Sequence, residues 1–231
     1  MARPRVLLTG FGPFPGAEVN TSAWLVETLA AQTLPAEFDC EIHARILPTE
    51  WESVAALTPR LYEALQPHVM IHFGLHARAR AFRLERSAHN RAAPRADAKG
   101  ALPGGRVILP QRPDRLDTTL PASRLAAQLK ERGLAAVSSR SAGRYLCNFL
   151  YYRSLEWAAR QPSPSLVLFV HIPHAAAQGG PLSEARLLHG AQETLRLVLN
   201  FARARDEARG VDRTGSSLAR SELGLSHKEA P

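Results

Sequence analysis

Apolar and polar positions alternate along this chain with two periods, and the switches between them mark out the elements. Arg5-Val-Leu-Leu-Thr-Gly is a short apolar run cut off by glycine, which predicts a buried strand. Phe11-Gly-Pro-Phe-Pro-Gly follows as a loop that its prolines keep out of any helix. Thr21 or Ser22 is positioned to cap the next helix, in which Trp24, Leu25, Leu29 and Ala30 recur at helical spacing. A strand is expected near Cys40 to Leu47, a helix from Trp51 to Gln66 closed by Pro67, and a second buried strand at Val69-Met-Ile-His-Phe-Gly.

Residues 82 to 118 break this rhythm. Only short strand-like pieces, Phe82 to Ser87 and Arg106-Val-Ile-Leu, stand between glycines and prolines, so the stretch reads as an excursion beside the main sheet. The alternation then resumes with a helix from about Pro121 to Arg132 and a strand from Leu134 to Ser138. A helix from close to Cys147 to about Ala159, the strand Leu166-Val-Leu-Phe-Val-His and a long helix from Ser183 to Ala202 complete it. Strands alternating with helices predict a single α/β/α sandwich with a mostly parallel central sheet, here covering residues 1–203. Beyond that point charged and small residues dominate, and 204–231 reads as a mostly disordered polar tail.

Composition narrows the function classes. The 231 residues, 45% of them hydrophobic, suffice for one sizeable core. No run of about 18 uncharged apolar residues occurs and the basic start does not form a signal peptide, so a cytoplasmic protein that needs no membrane is expected. Two cysteines, Cys40 and Cys147, do not make a disulfide framework. The net charge of +8 invites nucleic-acid binding. Its arginines, however, cluster between His76 and Lys99 with Phe82 as the lone aromatic side chain, a composition of a solvated surface, and specific nucleic-acid binding is not expected.

Candidate chemistry centres on Ala142-Gly-Arg-Tyr-Leu-Cys-Asn. Here Cys147 lies near a helix start, where free N–H groups and a partial positive charge favour a thiolate and an oxyanion. A plain packed thiol fits the same local sequence equally well. Among nine histidines, His171 stands out at the carboxyl end of an apolar strand, the edge where parallel sheets bind ligands. His72 reads as a core histidine and His174 as loop surface. Glu85 is a candidate to orient the histidine, although an acid between Arg83 and Arg86 fits a surface ion pair as well. The residue pattern alone reaches a thiol hydrolase and no substrate.

Four separated segments go further: Thr9-Gly-Phe-Gly-Pro-Phe with Val19-Asn-Thr-Ser, Leu84-Glu-Arg with His89-Asn, Ala142-Gly-Arg-Tyr-Leu-Cys-Asn, and Phe169-Val-His-Ile-Pro. In this order, over roughly residues 5 to 200, the chain resembles the pyroglutamyl peptidase I (pyrrolidone-carboxylate peptidase) family of cysteine peptidases. The resemblance implies catalytic Glu85, Cys147 and His171. It implies that Phe11 and Phe14 sandwich a pyroglutamyl ring, and that Asn20 and Arg95 belong to the substrate site, Arg95 toward the oxyanion. It also implies small peptides with N-terminal pyroglutamate as substrates, no metal or cofactor, and a dimer or tetramer that sedimentation would reveal. Departures from the pattern are Gly74-Leu-His-Ala-Arg-Ala-Arg, which keeps only the first glycine of a glycine-rich stretch, and the arginine-rich loop after it. Both bear on substrate preference, with a shift toward acidic peptides as one outcome. A thiol amidase acting on another acyl group, and a non-catalytic basic binding protein, are the alternative readings.

Overall fold

A computed structural model of the chain describes residues 3–33 and 35–222. Five helices and eight strands appear in it: β1 (Arg5–Phe11), α1 (Thr21–Ala31), β2 (Glu41–Leu47), α2 (Trp51–Leu65), β3 (Val69–Leu75), β4 (Phe82–Glu85), β5 (Ser87–His89), β6 (Arg115–Asp117), α3 (Ala122–Glu131), β7 (Ala136–Ser139), α4 (Leu146–Ala159), β8 (Leu166–Ile172) and α5 (Glu184–Glu222). The main sheet has the order β2-β1-β3-β8-β4-β7. All of its pairs are parallel except β4 against β8.

Because side chains alternate across a strand, each apolar strand feeds two cores. Val6, Leu8, Ile71, Phe73, Leu84, Leu168 and Val170 pack against α1, α3 and α5. Leu7, Phe11, Met70, Val167 and Phe169 face α2 and α4. The result is the expected three-layer α/β/α sandwich with a mostly parallel sheet.

Several expectations change. The cap of α1 is Asn20, whose Oδ1 accepts from the Ser22 backbone N–H at 3.1 Å, and not Thr21 or Ser22. The segment from Phe82 is no excursion: β4 lies inside the main sheet, and only β5 and β6 form a separate ribbon. Arg106 to Leu109 is not a strand. Its backbone instead meets single loop partners, Arg106 O accepting from Ala92 N and Leu109 N donating to the Asn90 side chain, while the strand that pairs with β5 is Arg115–Asp117. Helix α5 runs on to Glu222, so residues 204–222 of the expected tail continue it, and 223–231 lie outside the described residues.

Helix α2 contains Pro59 in its interior, which removes the N–H that would bond Ala55 O. Arg153 of α4 supplies the missing donor, its Nη2 reaching Ala55 O at 3.1 Å. A helix defect is thereby repaired by the neighbouring helix on the same face of the sheet.

Candidate active site

The odd-numbered face of β8 and the matching face of β4 point toward α4, and this brings Glu85, Phe169 and His171 to one surface. In the antiparallel pairing Glu85 lies opposite Phe169 and Arg83 opposite His171. His171 therefore meets Glu85 diagonally, and its Nδ1 sits 2.8 Å from Glu85 Oε1. Both are buried, Glu85 completely. An ionised carboxylate only accepts, so Nδ1 carries the proton and Nε2 is the nitrogen left for another partner.

Cys147, the second residue of α4, lies close enough to act on this imidazole. Helical bonding within α4 starts with Phe149 N to Tyr145 O, so the N–H of Cys147 points out of the helix start unclaimed by an earlier carbonyl. Burial by itself pushes the His171 pKa down. The Cys147 sulfur, through its charge and a hydrogen bond to the imidazole, together with the Glu85 carboxylate, outweighs this and raises it to about 9. The cationic imidazole beside the sulfur is the arrangement that activates a thiol as nucleophile. Cys40 offers no such setting: it precedes the edge strand β2, and burial pushes its thiol pKa up.

Gly74 explains how the sulfur approaches the sheet. It pairs with His171 across β3 and β8, and a Cβ built there would lie 2.7 Å from the Phe169 ring and 3.0 Å from Cys147 Sγ. Asn148 fixes the helix start from the other side. Its Oδ1 accepts from His89 N at 2.8 Å, and its Nδ2 donates to the carbonyls of His89 and Arg91 at 2.8 and 3.0 Å.

The other sequence-derived candidates occupy different situations. Phe11 closes β1, is only 3% exposed and belongs to the α2/α4 core, with its N–H donating to Ser22 Oγ. Phe14 is half-buried in the following turn, bonded both ways with Ala17. Asn20 is buried, and its amide is engaged within the loop, donating to Gly12 O and accepting from Ser22 N and Oγ. It shapes the Phe11–Phe14 loop. Arg95 is exposed, and its guanidinium lies 4.7 Å above the Tyr145 ring, the residue that precedes α4.

Of two further neighbours of the histidine, His76 went unread in the sequence, and Arg83 was read only as an ion-pair partner of Glu85. His76 follows β3 and packs its ring edge-on to His171, with centroids 5.5 Å apart and planes at 79°. Its pKa is lowered by burial and by the nearby His171 and Arg83 charges. Arg83 Nε lies 3.8 Å from Glu85 Oε1, and its Nη2 donates to Ser139 Oγ. The period-2 spacing of Arg83 and Glu85 carried this signal, since it puts both on one face of any strand. His72 is a core histidine as expected: it is fully buried, bonded to Thr9 Oγ1, and burial drops its pKa to about 3. His174 is half-buried in the loop after β8.

Among the described residues no group of three or more His, Cys, Asp or Glu side chains is placed to hold a metal ion, and no helix is long and apolar enough to cross a membrane. A cleft of about 500 Å³ between α2, α4 and residues 101–108 is lined by Trp51 and Phe149, and Cys147 is not part of its lining.

Comparison with known proteins is consistent over most of the chain. The family model for pyroglutamyl peptidase matches residues 4–180. The pyrrolidone-carboxylate peptidase of Pyrococcus furiosus is 32% identical over 175 residues, covering 75% of this chain and 83% of that protein. Human pyroglutamyl-peptidase 1 is 32% identical over 177 residues, covering 75% and 81%. In three dimensions the crystal structure of Bacillus amyloliquefaciens pyroglutamyl peptidase I superimposes with a TM-score of 0.78 at 28% identity, covering 86% of this chain and 98% of the other.

Proposed function

The chain belongs to the pyroglutamyl peptidase family, and from that premise we propose that Cys147 is its nucleophile, His171 the base and acid, and Glu85 the group that orients the histidine. The reaction is hydrolysis of the bond after an N-terminal pyroglutamyl residue, the activity of a cysteine omega-peptidase. The observation that carries the residue assignment is the buried 2.8 Å contact of His171 Nδ1 with Glu85, beside a cysteine at a helix start.

Cys147 Sγ attacks the pyroglutamyl carbonyl carbon, forming a C–S bond while the carbonyl oxygen takes up the negative charge. The free N–H of Cys147 at the head of α4 is placed to hold that oxygen, with Arg95 as a second contributor. The His171 imidazolium gives its Nε2 proton to the leaving amine as the C–N bond breaks, leaving a thioester. Water, deprotonated by the same nitrogen, attacks the thioester and releases pyroglutamate with return of the thiol. Glu85 keeps Nδ1 protonated throughout and stabilises the cation.

A pyroglutamyl ring is a small neutral lactam without an ammonium group. Phe11 and Phe14, on the loop that Asn20 holds, are assigned to its two faces. We assign the enzyme to the cytoplasm, where reducing conditions preserve the Cys147 thiol. The deciding assay is release of a fluorogenic pyroglutamyl amide by wild type and Cys147→Ala, with a proline amide as control. Turnover of the pyroglutamyl substrate alone, reduced by about three orders of magnitude or more in the variant, is expected. Equal turnover by the variant would remove Cys147 from the mechanism. A folded enzyme inert toward pyroglutamyl amides but active on others would move the substrate to another acyl group.

A further inference from the structure

The order of strands gives the site a direction. The Phe11 and Phe14 loop leaves β1, the proposed nucleophile and base meet over β3 and β8, and β4 lies on the far side of β8 from β1. If the ring of the substrate lies toward β1, the peptide beyond the scissile bond leaves across β4. Adjacent strands are about 5 Å apart, so the first residue of the leaving peptide comes to lie over the strand that carries Arg83.

That side is cationic. Arg83 stands opposite His171 with its side chain 36% exposed. Arg78 and Arg80 are exposed on the connection from β3 to β4, and Arg144 is exposed three residues ahead of Cys147 on a segment bonded to Ala93 N. Among the described residues none of Arg78, Arg80 and Arg144 has a carboxylate within ion-pairing distance. Two acids of the neighbouring segments are engaged elsewhere. Glu85 is buried beneath the histidine, and Asp97 accepts from the backbone of Trp51, Lys99 and Ala101. The pyroglutamyl group carries no charge, so any charge this rim recognises belongs to the leaving peptide.

We infer that the enzyme favours pyroglutamyl peptides whose next residue is acidic, selected by the arginine rim over β4. The inference rests on the pyroglutamyl reading and adds the leaving-side preference to it. Uncompensated like charges beside a partly desolvated cleft raise the local concentration of an anionic substrate and hold it, an effect that salt weakens.

The test compares kcat/KM for three peptides, pyroglutamyl-Glu-Ala amide, pyroglutamyl-Ala-Ala amide and pyroglutamyl-Lys-Ala amide, at about 20 mM and 1 M salt. The glutamate peptide is expected to be about fivefold or more faster than the alanine peptide at low salt, the lysine peptide slower than both, and the differences to shrink at high salt. In the exposed-surface variant Arg78→Gln/Arg80→Gln/Arg144→Gln the glutamate advantage should fall toward onefold while the alanine peptide is cleaved as before. Equal rates for all three peptides in the wild type overturn the inference and leave the pyroglutamyl reading intact. A glutamate advantage that survives both high salt and the triple substitution overturns its assignment to the rim. If none of the peptides is cleaved by enzyme whose thiol still alkylates stoichiometrically, the pyroglutamyl reading falls and the inference falls with it.

Discussion

At the scale of single residues, the site turns on one buried carboxylate. Glu85 is fully buried, and its Oε1 faces both His171 and Arg83. Since Glu85 is one of the groups that lift the His171 pKa to about 9, Glu85→Gln should let the imidazolium lose its proton at lower pH. The descending limb of kcat/KM against pH is expected near pH 9 in the wild type and about one to two units lower in the variant. The linked stability has the same sign. A histidine whose folded pKa exceeds its unfolded value stabilises the fold below about pH 6.5, and that contribution is lost as pH rises through about 9. Coincident pH–rate limbs in the two proteins would disconnect Glu85 from the histidine.

At the scale of elements, the register of β3 on β8 decides where the Cys147 sulfur rests. Gly74 faces His171 in that register and leaves room for both the Phe169 ring and Cys147 Sγ. Gly74→Ala must displace the Phe169 ring, which a Cβ would approach to 2.7 Å, and crowds Cys147 Sγ at 3.0 Å. Loss of about tenfold or more in kcat is expected, together with a slower rate of Cys147 alkylation and only a modest change in melting temperature. Wild-type alkylation and turnover in this variant would show that the sulfur does not depend on the glycine. Gly10 plays a comparable part below the Phe11–Phe14 loop: a Cβ there would collide with the Ser22 carbonyl oxygen, so β1 and the start of α1 approach as closely as they do only without a side chain. The motif glycines therefore act by permitting close approach at the two loops that frame the site.

At the scale of the whole molecule, α5 ties the far edge of the sandwich together. Arg203 donates to the carbonyls of Glu37 and Phe38, and Arg205 donates to Pro164 O. A boundary after residue 203 keeps the Arg203 bonds and cuts the Arg205 contact with Pro164. A chain ending at residue 202 is expected to melt several degrees below one ending at 208, since charged hydrogen bonds contribute about 1.5 kcal/mol or more each. Identical melting curves would mean that these arginines act only as surface groups. The positive charge of the molecule also acquires a location at this scale. Of the arginines clustered between His76 and Lys99 in sequence, Arg83 comes to lie beside Glu85 and Arg95 over the Tyr145 ring that precedes α4, whereas Arg86 lines a separate cleft with Arg115 and Arg124.

The alternation of apolar runs with glycines and prolines was enough to read the layers, the mostly parallel sheet and the start of every long helix, because periodicity reports which face of an element is buried. The end of α5, twenty residues past its apolar stretch, was not legible in this way. The cysteine at a helix start and the histidine at a strand end were legible for the same local reason. What local pattern could not supply was the position of β4. Its four residues are too short to signal a sheet strand, and their antiparallel place between β8 and β7 depends on partners far away in sequence. That single placement turns Glu85 from a surface acid between two arginines into the buried partner of His171, and it sets Arg83 opposite the same histidine. Distances between side chains from distant segments are properties of packing, and only the tertiary structure decided them.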